Sequence, residues 1–115
     1  LFLFFLWISM AARKLGLLLS TPPSHPSVET VFRLAQAALR QGIEVYLYLI
    51  DEGVKSLSDS RYSEIVGAGA KMSVCAYGCQ QHRVSTQNIN PQVSLSGLVV
   101  LSGIIDGCDR FLAFT

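Results

Sequence analysis

The sequence predicts an α/β protein: a single compact three-layer domain with a parallel sheet of four to five strands and helices on both faces, of the flavodoxin or Rossmann kind. Three observations predict it. Strand-like and helix-like segments alternate from Lys14 to the end of the chain. The connections between them are short, as in right-handed crossovers. The strand-like segments are nearly continuous apolar runs, the pattern of strands covered on both faces.

The first strand is "KLGLLLS" (14–20), closed by the proline- and hydroxyl-rich "TPPSHPS". A helix follows, with Val28, Val31, Phe32, Ala35, Ala38 and Leu39 on one face and Glu29, Arg33, Gln36 and Arg40 on the other. Ser27 is its expected N-cap, and Gly42 stands where a glycine ends a helix. The second strand is "IEVYLYLI" (43–50), ending at Asp51-Glu52-Gly53. Residues 54–70 read as one or two short helical turns capped by Ser58 or Ser60, then a glycine-rich return. "KMSVC" (71–75) is the third strand, "AYGCQQHR" a short helix and "VSTQNINPQ" (84–92) a loop. Apolar residues in "VSLSGLVVLSGIIDGC" (93–108) cover nearly every side, and its length favours one buried helix. "DRFLAF" (109–114) is the last strand.

The composition narrows the function. Half of the residues are hydrophobic and only 15% charged, which predicts a large core and an apolar assembly surface. Nine basic and eight acidic residues are scattered with no basic stripe, which argues against nucleic acid or an anionic membrane as partner. Three cysteines, Cys75, Cys79 and Cys108, are odd in number and too sparse for a disulfide scaffold. They predict a reducing, cytoplasmic setting with at least one free thiol.

Residues 1–12 form an apolar extension, and the domain is expected over 13–115. "LFLFFLWISMA" is shorter than the roughly 20 residues of a membrane-spanning helix. It resembles the apolar stretch of a signal peptide without the preceding basic segment. Met10, followed by "AARKLGLLLS", would make a natural start for a cytosolic domain. A foreign extension, a truncated signal segment and a packed element remain the three readings.

The segment that carries chemistry is "KMSVCAYGCQQHR" (71–83). Functional groups of parallel sheets collect beyond the carboxyl ends of strands, where this reading places Cys75. Cys75 also opens a helix, whose unpaired N–H groups favour an anion, and the thiolate is the sulfur nucleophile. Cys79 lies one helical turn on and His82 continues that face, so a thiol pair or a metal site is a second reading. Against metal, C-x₃-C with one histidine is short of the four ligands of a structural zinc site, and His25 is the other available ligand. Inert packing is the third reading, and the expected one for Cys108. "GAG" (67–69) precedes a strand, unlike a phosphate-cradling loop, and Ser20, Thr21, Asp51 and Glu52 read as strand-end residues.

The order "KLGLLLSTPP", "ETVFRLAQAALRQGIEV", "YLYLIDEGV", "KMSVCAYGCQQHRV" and "SGLVVLSGIIDGCDRFLAF" resembles the DsrE/DsrF-like family of TusD- and YchN-type sulfur-relay proteins, over about residues 13–115. The resemblance implies trimers or hexamers and no cofactor. It also implies sulfur trafficking between donor and acceptor proteins. Cys75 matches the family's sulfur-accepting cysteine, which holds sulfane sulfur as a persulfide. Cys79 would then be a second thiol, and His82 a stabiliser of the thiolate where many relatives carry arginine. The sequence departs from the family in two places. Arg83 is followed by Val84 where relatives often have Arg-Gly, and Cys79 is one position from the usual second cysteine. Some relatives lack the cysteine and serve as structural subunits. An oligomeric assembly or small-molecule-binding subunit is therefore the alternative function.

Overall fold

The computed structural model describes residues 13–115. The readings of the extension, residues 1–12, lie outside the described residues. Five strands form one sheet: β1 (Lys14–Leu19), β2 (Glu44–Leu49), β3 (Lys71–Cys75), β4 (Ser94–Ser96) and β5 (Arg110–Phe114). Their order is β4-β3-β2-β1-β5, and every pairing is parallel. The parallel α/β architecture predicted from the sequence is therefore present, with five strands.

Side-chain alternation assigns the two faces. Leu17, Leu19, Val45, Leu47, Leu49, Met72 and Val74 point to one side and are buried. Helix α1 (Ser27–Arg40) packs there with Val28, Val31, Phe32, Ala35 and Ala38, the face its periodicity predicts. Helix α2 (Arg61–Gly67) lies beside it, with the Tyr62 ring 4.5 Å from that of Phe32. Each fully buried leucine in this layer contributes about 1.5–3 kcal/mol over an exposed one. On the opposite side, helix α4 (Leu98–Gly107) rests on β1 through Ile104. Gly16 permits that approach, because a Cβ there would stand 2.8 Å from Phe111 Cδ1 and 3.0 Å from Ile104 Cγ2.

Helix ends follow backbone chemistry. After α1, the Gly42 and Ile43 amides donate to the Leu39 and Ala38 carbonyls, and Gly42 takes φ 77°. This is the expected glycine stop. The expected Ser27 cap is corrected: Pro26 holds the N-cap and Ser27 is the first helical residue, its hydroxyl 2.8 Å from His25 Nδ1. Proline fixes φ near the helical value and so sets the helix entry. Ser60 precedes α2, but its side chain caps nothing; Asp59 Oδ1 instead accepts from the Arg61 amide. Asp51-Glu52-Gly53 end β2 and also begin a 3₁₀ turn, Asp51–Ser56.

The largest correction concerns residues 93–108. They are not one buried helix. Ser94–Ser96 pair with β3 as an edge strand, Gly97 interrupts, and α4 begins at Leu98. Of α4 only Ile104 is buried, whereas Leu98 is 61% and Val99 87% exposed. An all-round apolar helix normally fills a core. Here most of that apolar surface faces outward.

Candidate functional site

Cys75 ends β3 and is the N-cap of α3 (Ala76–Gln81), as the sequence predicts. Its extended backbone, φ −68° and ψ 116°, turns the side chain over the first turn, where Sγ accepts from the Gly78 amide at 3.3 Å. Gly78 has a second effect. A Cβ there would lie 3.1 Å from Val54 Cγ1, so glycine lets α3 close onto the 3₁₀ turn. Strand, helix start and turn thus converge on one sulfur.

That sulfur lines a cavity of about 520 Å³ bounded by Ile50 and Asp51, by α3 residues Tyr77, Gly78 and Gln81, and by Ser96, Gly97 and Leu98. Cys75 is 6% exposed, and Tyr77 (69%) and Leu98 (61%) stand at the rim. Ser96 is the parallel-register partner of Cys75 on β4. Tyr48, fully buried on β2, donates its hydroxyl to the Gly97 carbonyl at 3.0 Å, fixing the β4–α4 corner that forms the far wall. Burial pushes the Tyr48 phenol up and the neighbouring Cys75 sulfur adds to the effect, so the hydroxyl stays a donor. Ser96 Oγ approaches that phenol and pulls it the other way, but satisfies no hydrogen-bond geometry; buried, it has no partner among the described residues.

The other predicted residues are close but differently placed. Cys79 is 2% exposed, and burial first, then the Cys75 sulfur, raises its thiol pKa. All three cysteines are thiols. His82 caps the end of α3, and its Nε2 lies 3.0 Å from Asp51 Oδ1. His82 therefore reaches the cavity through Asp51, the charged residue of its lining. Among the described residues, no three of histidine, cysteine, aspartate and glutamate converge as metal ligands. His25 stands apart, exposed and bonded to Ser27.

Tyr48, Ser96 and Asp51 are the participants that sequence reasoning missed as site residues. Strand alternation puts Tyr48, Cys75 and Ser96 on the α4 side of the sheet, but only strand order makes them neighbours. A larger cavity, about 720 Å³, opens at the amino ends of the strands among Lys14, Tyr46, Lys71, Gly103 and Cys108. It contains Cys108 but neither Cys75 nor Cys79, and among the described residues no hydrogen bond reaches the Cys108 sulfur, whose thiol burial pushes up. Chemistry favours the smaller one. Among the described residues, no helix is long and apolar enough to cross a membrane.

Comparison with known structures identifies the fold. YchN from E. coli superposes with a TM-score of 0.77 at 19% identity, over 90% of this chain and all of that one. A conserved protein of unknown function from Bacteroides thetaiotaomicron gives 0.71 at 17% identity, over 89% and 95%. Another from Methanobacterium thermoautotrophicum gives 0.70 at 14% identity, over 90% and 100%. No functionally curated protein matches the chain. The DsrE/DsrF-like family model matches residues 13–114, almost the whole described domain, and the chain therefore belongs to the DsrE/DsrF-like family.

Proposed function

We propose that the protein is a sulfur carrier that holds sulfane sulfur as a persulfide on Cys75 and relays it between partner proteins. The observation that carries this reading is the Gly78 N–H donating to Cys75 Sγ at the floor of a cavity open to a partner. Family membership supports it.

In the loading step, the Cys75 thiolate attacks the outer sulfur of a donor persulfide, R–S–SH. The Sγ–S bond forms as the donor's S–S bond breaks, and R–S⁻ leaves. One thiolate is consumed and one released, so no oxidant, reductant or cofactor is required. In delivery, an acceptor thiolate attacks the outer sulfur and Cys75 Sγ departs as a thiolate. The Gly78 amide holds that charge in both steps, since hydrogen bonds to charged groups are stronger than neutral ones. Cys79, its pKa raised by burial, remains a protonated second thiol beside the site and is a poor attacker on the new persulfide. His82 Nε2, 3.0 Å from Asp51 Oδ1, anchors that carboxylate in the cavity wall and so acts on the sulfur only through it. Tyr77 and Leu98 at the rim would meet the donor and acceptor proteins.

The exposed apolar residues of α4 favour a second reading, a non-catalytic assembly subunit of a homo- or hetero-oligomer, such as the trimer or hexamer the resemblance implies. Intact mass after incubation with a persulfide donor separates the two. A reductant-reversible gain of about 32 Da, the mass of one sulfur atom, that is absent in Cys75→Ser supports the carrier. No gain in either protein leaves the assembly subunit. A loss of two hydrogens would instead reveal a Cys75–Cys79 disulfide.

A further inference from the structure

We infer that Ser96 is a positioning residue for the transferred sulfur: its hydroxyl donates to the outer sulfur of the Cys75 persulfide, while Tyr48 holds the β4–α4 corner that presents it. This rests on the carrier reading and adds to it the group that receives the cargo atom.

Three independent observations converge. Ser96 Oγ is buried without a hydrogen-bond partner among the described residues. Such an orphan is destabilising unless something supplies the missing acceptor. Ser96 is also the register partner of Cys75 on a parallel strand, so both side chains leave the sheet on the same face and line the same cavity. Finally, among the described residues no lysine or arginine lines that cavity. A persulfide is more acidic than its parent thiol and carries its charge on the outer sulfur. With no cation at hand, a neutral donor has to meet it.

An outer sulfur extends about 2 Å beyond Sγ, the length of an S–S bond. The Gly78 amide already serves Sγ, and Gly97 accepts the Tyr48 hydroxyl. Tyr77 and Gln81, the other side-chain donors of the lining, are exposed, so Ser96 is the buried hydroxyl left for the second atom. Forming this contact breaks no existing hydrogen bond. The titratable groups around the site are Tyr48 from β2, Asp51 from the 3₁₀ turn with His82 behind it, and Tyr77 and Cys79 from α3.

The test loads wild type and Ser96→Ala with a low-molecular-weight persulfide donor and follows alkylation of the persulfide by iodoacetamide against pH, by intact mass. The expected result is a half-maximal pH about one unit higher in Ser96→Ala, a tenfold smaller ionised fraction in the lower pH range. The melting temperature should be unchanged or higher, because the deleted hydroxyl had no partner. An unchanged half-maximal pH overturns the inference and leaves the carrier reading standing. A shift accompanied by a lower melting temperature also overturns it, since that marks repacking of β4. If wild type gains no sulfur, the carrier reading fails and this inference fails with it.

Discussion

His82 Nε2 and Asp51 Oδ1 meet at 3.0 Å across 31 residues of sequence, tying the end of α3 to the turn that follows β2. Asp51 lines the Cys75 cavity and sits at φ 51°, a left-handed conformation that aspartate and asparagine tolerate better than most residues. Asp51→Asn therefore keeps the backbone and an acceptor for His82 but removes a negative charge beside the sulfur. Alkylation of Cys75 by iodoacetamide should accelerate by about two- to fivefold at low salt, and the gain should shrink at high ionic strength. A rate equal to wild type at low salt would mean that Asp51 exerts no field on the thiolate.

Arg83, at φ 55°, takes the left-handed position after α3. The Val84 amide reaches the Cys79 carbonyl at 2.8 Å and the Arg83 amide the Gln80 carbonyl, the bond pattern that glycine completes after α1. A non-glycine residue is strained there. Arg83→Gly should stabilise the domain by about 0.5–1 kcal/mol, the relief being partly offset by the greater freedom of glycine in the unfolded chain. Urea unfolding measures it. A lower midpoint would show that the arginine side chain contributes more than the strain costs.

Two glycines are required by close packing. At Gly16 a Cβ would meet side-chain atoms of Phe111, Ile104 and Cys108, which can shift. At Gly53 it would overlap the Leu19 carbonyl, which cannot move without breaking its bond from the Ile50 amide. Gly16→Ala should cost about 1–3 kcal/mol by overpacking, and Gly53→Ala more. Equal costs in a denaturant titration would contradict this account of the 3₁₀ turn.

The sheet and the cysteine's address were legible because their signals are local. Leu17, Leu47 and Val74 lie in short apolar runs, Gly42 stops α1, and Cys75 stands where an apolar run gives way to a polar helix. Residues 93–108 were misread because Val99, Val100, Ile104 and Ile105 leave no polar face, and sequence cannot tell a core from an exposed apolar surface. Ser94–Ser96 is too short for a period of two to show. The far wall of the site depends on contacts invisible in one dimension. Tyr48 meets the Gly97 carbonyl across 49 residues, and Ser96 meets Cys75 only through strand register.

Tyr62 provides a test of the packing between α1, α2 and the 3₁₀ turn. The Ser56 hydroxyl donates to the Gly53 carbonyl at 2.9 Å, so the Tyr62 hydroxyl, 2.7 Å away, donates to Ser56 Oγ. Burial is the main cause that pushes the phenol up to about 12, against which the Ser56 bond acts only in part. Unfolded, the phenol titrates near 10. The native state therefore holds its proton more tightly than the unfolded chain. The resulting stabilisation is fully present below about pH 10 and lost as pH rises through about 12. Tyr48 is shifted in the same direction, so the informative quantity is the difference between wild type and Tyr62→Phe. At neutral pH the variant should lose about 1 kcal/mol, the worth of one hydrogen bond, while keeping its ring against Phe32. Between pH 10 and 12, wild type should lose stability more steeply than the variant, and the two curves should converge and then cross. Parallel curves in urea titrations over that range would show that Tyr62 does not carry the alkaline transition.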